Sequence, residues 1–254
     1  VFVVNDGLNT LSYVKNLSTL RLNYKINKKM SLSAVASLSP SLPSLSDLST
    51  ILQRTDDVSA NVGNADLKPY NTLSGRLQFN YNAPKIFYAT ATAGYGHSFN
   101  PIVYTYYYNP ELNLFVNSPH NSDYYKTMYL YTKIGAKKLF EFLYISLTGN
   151  LRKQESKGIG FHHENLNFYS SVEVQAVWEK FTMGCDFDIT PAITLYGENL
   201  TYNEMSQDIY VQYKWKDLYV ALIWLCPFNK DGFKYQTEGL SEVHSYKHTN
   251  WTAN

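Results

Sequence analysis

The chain has 254 residues, enough for one large domain or two small ones, and its 22 Lys+Arg against 21 Asp+Glu exclude the basic excess that a nucleic-acid footprint needs. Charged residues make up 17% and tyrosine occurs 23 times, where globular domains average roughly 25% charged. Tyrosine has an apolar body and a polar tip, so this composition fits an all-β soluble domain or a membrane barrel and excludes neither.

The amino-terminal VFVVNDG lacks the basic start and long apolar stretch of a signal peptide. Period-2 alternation then dominates. In LRLNYKI, Leu20, Leu22, Tyr24 and Ile26 share one face, with Arg21, Asn23 and Lys25 on the other. After a turn at Asn27-Lys28-Lys29, Met30, Leu32, Ala34, Ala36 and Leu38 alternate mostly with serines. Leu73, Gly75, Leu77, Phe79 and Tyr81 repeat the design up to a turn at Ala83-Pro84-Lys85, and Phe87, Ala89, Ala91, Ala93 and Tyr95 lead back. IVYTYYYNPELNLFVN predicts a smaller extra hairpin. Three further hairpins are expected, turning at Lys137-Lys138, Glu179-Lys180 and Lys216-Asp217. In the second of these, Phe181, Met183, Cys185, Phe187 and Ile189 oppose Thr182, Gly184, Asp186 and Asp188, so one face is apolar and the other wet enough for carboxylates.

The turns closing these hairpins are short and carry lysine. The connections at the opposite end are longer: residues 39–71, 97–122, 154–164 and 191–205, and the tail after Pro227. Such sorting, with strands longer than the roughly 5–6 residues usual in soluble sheets, predicts an all-β, antiparallel up-and-down transmembrane β-barrel. Ten strands are expected from the five clear hairpins. A soluble sandwich or lipocalin-like barrel is the alternative. No run approaches the ~18 apolar residues of a membrane-spanning helix.

Few residues suggest chemistry. There is no Ser/His/Asp triad, P-loop or dinucleotide fingerprint, so neither a catalytic residue nor a cofactor is expected. Cys185 and Cys226 stand too far apart for a metal or redox motif and read as buried thiols. His162-His163-Glu164 is expected to be a solvated loop segment with no metal. Asp186 and Asp188 are expected to line a barrel lumen, and Asp56-Asp57, near Asn61, to form an ordinary solvated turn rather than a calcium site. Tyr104, Tyr106, Tyr107, Tyr108 and Phe115 form the most prominent cluster. Exposed aromatics stack on sugars or other flat ligands, and they also build the interface girdle of a barrel.

One string is more specific. VGNADLKPYNTLSGRLQFNY resembles the Gly-Asn-Pro-x-Leu-Lys-Pro-Glu region of TonB-dependent outer-membrane transporters and their transporter-like barrel relatives, matching at Gly63, Asn64, Leu67, Lys68 and Pro69. It departs at Ala65, where proline is common, and at Tyr70, where glutamate is. Gly63 and Asn64 are expected to use positive φ, and Pro69 to fix the return of the chain to the sheet, a structural role. The resemblance implies a barrel of about 22 strands in a Gram-negative outer membrane, with short periplasmic turns and long extracellular loops, of which residues 1–254 are expected to be a single partial-barrel fragment of about 10–12 strands without the plug domain. It also implies outer-membrane lipid, a periplasmic energy-coupling protein reached through that plug, and a nutrient ligand or surface lipoprotein as partners. Energised uptake of a siderophore, glycan or peptide is the function expected. A non-transporting adhesin or assembly scaffold, and a soluble carbohydrate-binding domain, are the alternatives.

Overall fold

The computed structural model describes residues 2–5, 10–13, 17–83, 87–225, 227, 233–240 and 247–252. Its main feature is a sheet of ten strands that lie side by side in chain order, each antiparallel to the next. They are β1 (Ser18–Lys25), β2 (Met30–Ser41), β3 (Tyr70–Asn82), β4 (Phe87–Phe99), β5 (Tyr124–Leu139), β6 (Leu143–Gly158), β7 (Phe161–Trp178), β8 (Phe181–Asp188), β9 (Gln207–Trp215) and β10 (Leu218–Leu225). The sheet is open: among the described residues, β1 and β10 each pair on one side only.

Register makes the two faces of this wall chemically uniform. One row runs Leu22, Ala34, Leu77, Ala93, Leu130, Leu151, Phe168 across β1 to β7. On the other face a row runs Lys25, Ser31, Asn80, Thr90, Lys133, Thr148, Ser171, Asp188 across β1 to β8. Because the side-chain period of a strand is two, a slip of one residue anywhere would exchange these faces. The apolar row is the more exposed of the two: Leu22 is 61% exposed, Leu130 49% and Phe168 54%. Leaving one such side chain in water forgoes roughly 1.5–3 kcal/mol. No second sheet packs on this face among the described residues, which removes the sandwich alternative. Hydrocarbon is the medium that suits it, and it continues into a groove of about 650 Å³ where Gly75 and Ala93 are flanked by Leu77, Met128, Leu130 and Leu151. Phe181 packs on Tyr213 at 4.8 Å between ring centroids, beside the exposed Trp178 and Trp215, and these aromatics mark one rim of the apolar band.

The polar face has its own packing rule. Gly94, Gly135 and Gly184 stand directly across from Tyr129, Tyr88 and Tyr210 on neighbouring strands. A Cβ at any of these glycines would collide with the opposing phenol ring. Each tyrosine lies over the gap that its partner leaves, covering backbone that a strand glycine would expose.

The short turns collect at one end of the wall. Glu179 and Lys216 take positive φ of 50° and 51° in the two-residue turns expected there. The turn expected at Lys137-Lys138 is displaced: β5 runs on to Leu139 through a register shift between Ala136 and Leu139, and the chain reverses at residues 140–142. At the other end, residues 154–164 are not a loop, since β6 and β7 are 16 and 18 residues long and join by two residues, Ile159 and Gly160. A tilted membrane strand needs only about 9–11 residues, so this hairpin rises beyond the apolar band. Pro84, Lys85 and Cys226 lie outside the described residues.

The remaining segments at this loop end fold into structure of their own. A helix spans Leu45–Leu48, and a four-stranded sheet has the order Gln53–Arg54, Ser59–Asn61, Leu114–Asn121, Ile102–Asn109. A second four-stranded sheet has the order Ala192–Tyr196, Asn199–Asn203, Phe233–Gly239, Lys247–Thr252. Most buried apolar residues are here rather than in the wall: Leu48, Ala60, Leu67, Ile102, Val103, Leu114, Val116 and Leu195.

Two substitutions in the full-length protein test the assignment of faces. Leu77→Arg, on the apolar face, is expected to cost about 2–4 kcal/mol and to cut assembled protein in the membrane, while Gln78→Arg one residue on is expected to assemble normally; equal behaviour in a heat-modifiability assay would refute the assignment. Gly94→Val is expected to destabilise the wall, and Tyr129→Ala in the same chain to restore part of the loss by making room. A purely additive double-mutant cycle would show that the Gly–Tyr pairing does not matter.

Candidate functional site

The specific string of the sequence sits under the loop-end structure. Gly63 N–H donates to the Ser49 carbonyl at 2.7 Å and Asn64 N–H to the Asp47 carbonyl at 2.6 Å, so the chain lies against the carboxyl end of the short helix. A Cβ on Gly63 would press into the carbonyl oxygens of Ser46, Asp47 and Ser49. Neither Gly63 nor Asn64 has positive φ; the expectation of a left-handed turn is corrected to a requirement for close backbone approach. Asn64 caps its own turn by accepting from Asp66 N–H at 2.9 Å and donates through Nδ2 to the Pro119 carbonyl at 3.2 Å. Leu67 is 3% exposed and joins Leu48 and Ile102 in a small core against Tyr70. Lys68 is held through its backbone, its N–H donating to Asn121 Oδ1 at 2.8 Å while Asn121 Nδ2 donates to its carbonyl at 3.0 Å. Pro69 follows immediately and leads into β3.

This scaffold positions the first four-stranded sheet, which has two unlike faces. The inner face carries Ala60, Val103, Leu114 and Val116, all at most 2% exposed, together with Thr105 and His120, whose Oγ1 and Nδ1 are 3.0 Å apart. Gly197, at φ 61°, brings the second sheet against Val103. That sheet is fastened to the wall by an amide clamp: Gln154 Nε2 donates to the Leu195 carbonyl at 3.0 Å and Gln154 Oε1 accepts from Leu195 N–H at 3.2 Å. Tyr196 OH donates to the Ile102 carbonyl at 2.9 Å, tying the two loop-end sheets together.

On the outer face, one register row runs Gln53, Asn61, Asn117, Tyr106 across all four strands. Beside it lie the pairs Pro119–Tyr104 and Phe115–Tyr108. The structure therefore brings together Tyr104, Tyr106, Tyr108 and Phe115 from the aromatic cluster and places Tyr107 on the opposite face, across from Val116. The rings of Tyr106 and Phe115 are nearly parallel, 5.6 Å apart at an interplanar angle of 4°. At one end of the aromatic strip a recess of about 220 Å³ is lined by Ser46, Asp47, Gln53, Asn61, Tyr104 and Asn117, among others. Tyr104 OH donates to Asp47 Oδ1 at 2.8 Å, and Ser44 N–H to Oδ2 at 3.1 Å. Burial pushes the Asp47 carboxyl up, but the hydrogen bonds from Ser44 and Tyr104 outweigh it and hold the group below its ordinary value. Burial, and then the bond to Asp47, push the Tyr104 phenol up to about 12. Both groups thus keep their charge states at neutral pH: carboxylate and phenol.

The histidine segment differs from expectation. His162, His163 and Glu164 lie on β7, not in a loop, and Glu155 on the facing strand joins His162 and Glu164, but not His163, in one cluster. His162 Nε2 is 3.0 Å from Glu155 Oε1, Lys126 Nζ 3.6 Å from Glu155 Oε2, and Lys153 Nζ 2.9 Å from Glu164 Oε2. Tyr124 OH also donates to Glu155. The donor types could hold a cation, yet each carboxylate already meets a basic side chain, so the cluster reads as an ion-pair network above the apolar band. In the wall, Asp188 accepts from Tyr169 OH at 2.6 Å and from Ser206 N–H and Oγ, both at 2.9 Å, which anchors residue 206 where the chain returns to β9. Asp186 lies in register between Glu173 and Asp208 on the polar face. Asp56 closes a turn, accepting from Val58 N–H at 2.8 Å and Ser59 Oγ at 2.6 Å.

Gln53, Asn117 and Asp47 carried no sequence signal, and Asn61 drew notice only for its place near the Asp56-Asp57 turn. They become neighbours through one parallel strand pair, Ser59–Asn61 beside residues 115–117, joining segments over 50 residues apart.

A model of the outer membrane protein beta-barrel family matches residues 3–254. Among solved structures, the siderophore receptor PirA from Pseudomonas aeruginosa is similar, with a TM-score of 0.58 and 12% identity over 92% of this chain and 41% of that one. The ferric-catecholate import receptor Fiu from E. coli K12, in its open form, has a TM-score of 0.41 and 11% identity over 93% of this chain and 46% of that one. The chain spans less than half the length of either structure, and PirA's likeness speaks for the fold. No curated protein matches the chain.

Two outcomes test the loop scaffold. Gly63→Ala in the full-length protein is expected to expose residues 45–67 to added protease on intact cells while leaving the wall heat-modifiable; unchanged protection would show that the close approach is dispensable. The Asp47 carboxyl titrates below its ordinary 3.8 in the folded protein, so its stabilising contribution is complete above that value and is lost as pH falls through the lowered one. Protease sensitivity of the same segment should rise only in acid below pH 3.8, and a rise near neutrality would contradict this.

Proposed function

The chain belongs to the outer membrane protein beta-barrel family, and from that premise we propose that it forms wall and extracellular surface of a TonB-dependent receptor for energised uptake of a bulky nutrient. Its setting is the outer membrane, where lipid covers the apolar row and the short turns face the periplasm. The observation that carries the reading is the polar row from Lys25 to Asp188, unbroken over eight strands on the face away from lipid. Such a face is built to meet water or other polypeptide, as in a wide, plugged lumen. Above it, the loop-end sheets present a folded surface with a recess rather than irregular loops alone, which suits ligand capture.

The mechanism follows from this division of labour. The extracellular surface captures the nutrient, the polar wall borders its path, and a plug domain elsewhere in the full-length protein is moved by the periplasmic energy-coupling protein. This chain has a receptor's role in that scheme, not an enzyme's.

Growth profiling provides the test. Cells deleted for the full-length protein are compared with cells deleted for the coupling protein across carbon and iron sources. At least one source is expected whose use falls in both strains and returns when the receptor gene is restored in coupled cells only. If no source depends on both proteins, the uptake reading fails and an adhesin or scaffold takes its place.

A further inference from the structure

The outer face of the first four-stranded sheet combines three kinds of group that no single stretch of chain contains. Gln53, Asn61 and Asn117 form an in-register row of amides on three strands. Neighbouring strands lie about 4.8 Å apart, so the row spans about 10 Å. Each amide offers two N–H donors and a carbonyl acceptor. Asn117 Nδ2 donates to Asn61 Oδ1 at 3.3 Å, which orders the row and still leaves other amide donors and acceptors on this exposed face. A ring bearing several hydroxyls is the natural complement, because each hydroxyl both donates and accepts.

The aromatic strip continues from that row. Tyr104 lines the recess, Tyr106 closes the amide row, and Phe115 stacks beside Tyr106. The negative faces of such rings attract the C–H faces of other rings. The alternation of amides and aromatics therefore matches a ligand with hydroxyl edges and C–H faces.

Charge narrows the class. Among the described residues that line the recess, Asp47 is the one that is charged and none is a cation. A phosphate, a carboxylate or an anionic iron chelate would meet a carboxylate with nothing to offset it. A metal ion or an ammonium group would find that carboxylate already accepting from Tyr104 and Ser44. A neutral polyol meets neither obstacle. The volume of about 220 Å³ lies below the roughly 300–1,000 Å³ of pockets for drug-sized ligands and accommodates a single ring, with the chain of the ligand continuing onto the open strip.

We propose that this face binds a neutral oligosaccharide, one sugar ring seated in the Asp47–Tyr104 recess with its hydroxyls on Asn61 and Asn117, and the following rings stacked on Tyr106 and Phe115. The proposal names the cargo class and rests on the receptor reading for its biological sense. Binding is measured by titration calorimetry on the purified full-length protein in detergent, with maltohexaose, xylohexaose, mannohexaose and laminarihexaose as neutral probes and ferric tris-catecholate as the anionic one. At least one hexaose is expected to bind, with Asn117→Ala and Phe115→Ala each weakening it about tenfold or more and Glu179→Gln, at the opposite end of the wall, leaving it unchanged. Both weakening substitutions are at the surface, and heat-modifiability confirms that each variant is folded. Absence of binding by all four hexaoses, binding indifferent to both substitutions, or displacement of a bound hexaose by ferric tris-catecholate would overturn it. Because calorimetry needs no energised import, sugar binding without coupled growth sinks only the uptake reading, while coupled growth on another cargo without sugar binding sinks only this one.

Discussion

The wall depends on one constraint: within hydrocarbon, no water is available to hydrogen-bond a backbone N–H or C=O. Each strand must find its partners in the next, which is why ten strands pair in chain order with long, nearly unbroken registers. Once pairing is obligatory, the two-residue period of the strand separates the faces without further instruction. Apolar side chains then stand outward in greater exposure than the polar ones opposite, the reverse of a water-soluble sheet. That inversion, rather than overall hydropathy, identifies the medium.

A wall of single-layer thickness has almost no core of its own, so its order comes from cross-strand pairs. Three glycines faced by three tyrosines on the polar side show how this is done. The phenol ring covers bare backbone, and its hydroxyl remains free to bond along the same face, as Tyr210 does by accepting from Gln175 Nε2 at 3.1 Å. Part of the heavy tyrosine usage belongs to this packing. Ion pairs such as Lys133 with Glu173, at 3.2 Å, supplement it on the same face.

The hydrophobic core lies instead in water, at the loop end. Segments between β2 and β3, between β4 and β5, between β8 and β9 and after β10 fold into two small sheets that bury Val103, Leu114, Val116 and Leu195. The backbone contact at Gly63, the Asn121 amide and the Gln154 clamp fix these segments to their surroundings, and Tyr196 on the Ile102 carbonyl ties the two sheets together. The ion-pair network around Glu155 sits between the apolar band and this layer, where its charges are solvated and β6 and β7 have already left the lipid.

Alternation along β1 to β4, the lysine turns at Glu179 and Lys216, and the division into short and long connections, residues 154–164 excepted, were legible in the residues themselves, because strand period and turn chemistry are local. The string around Gly63 was legible as a structural element, although its glycine answers to space rather than to φ. The turn after β5 moved because a register shift carried the strand past Lys138, and the histidine segment became strand because β6 and β7 continue to pair above the membrane; both outcomes belong to neighbouring chain, not to local propensity. Aromatic residues could be seen to cluster from Tyr104 to Phe115, but which of them share a face with Gln53, Asn61, Asn117 and Asp47 could not. Local chemistry thus determined the strands and their two faces, since period-2 side-chain geometry is written into each segment. Only tertiary structure decided the recess and its amide row, because pairing between strands more than fifty residues apart is set by packing that no single segment contains.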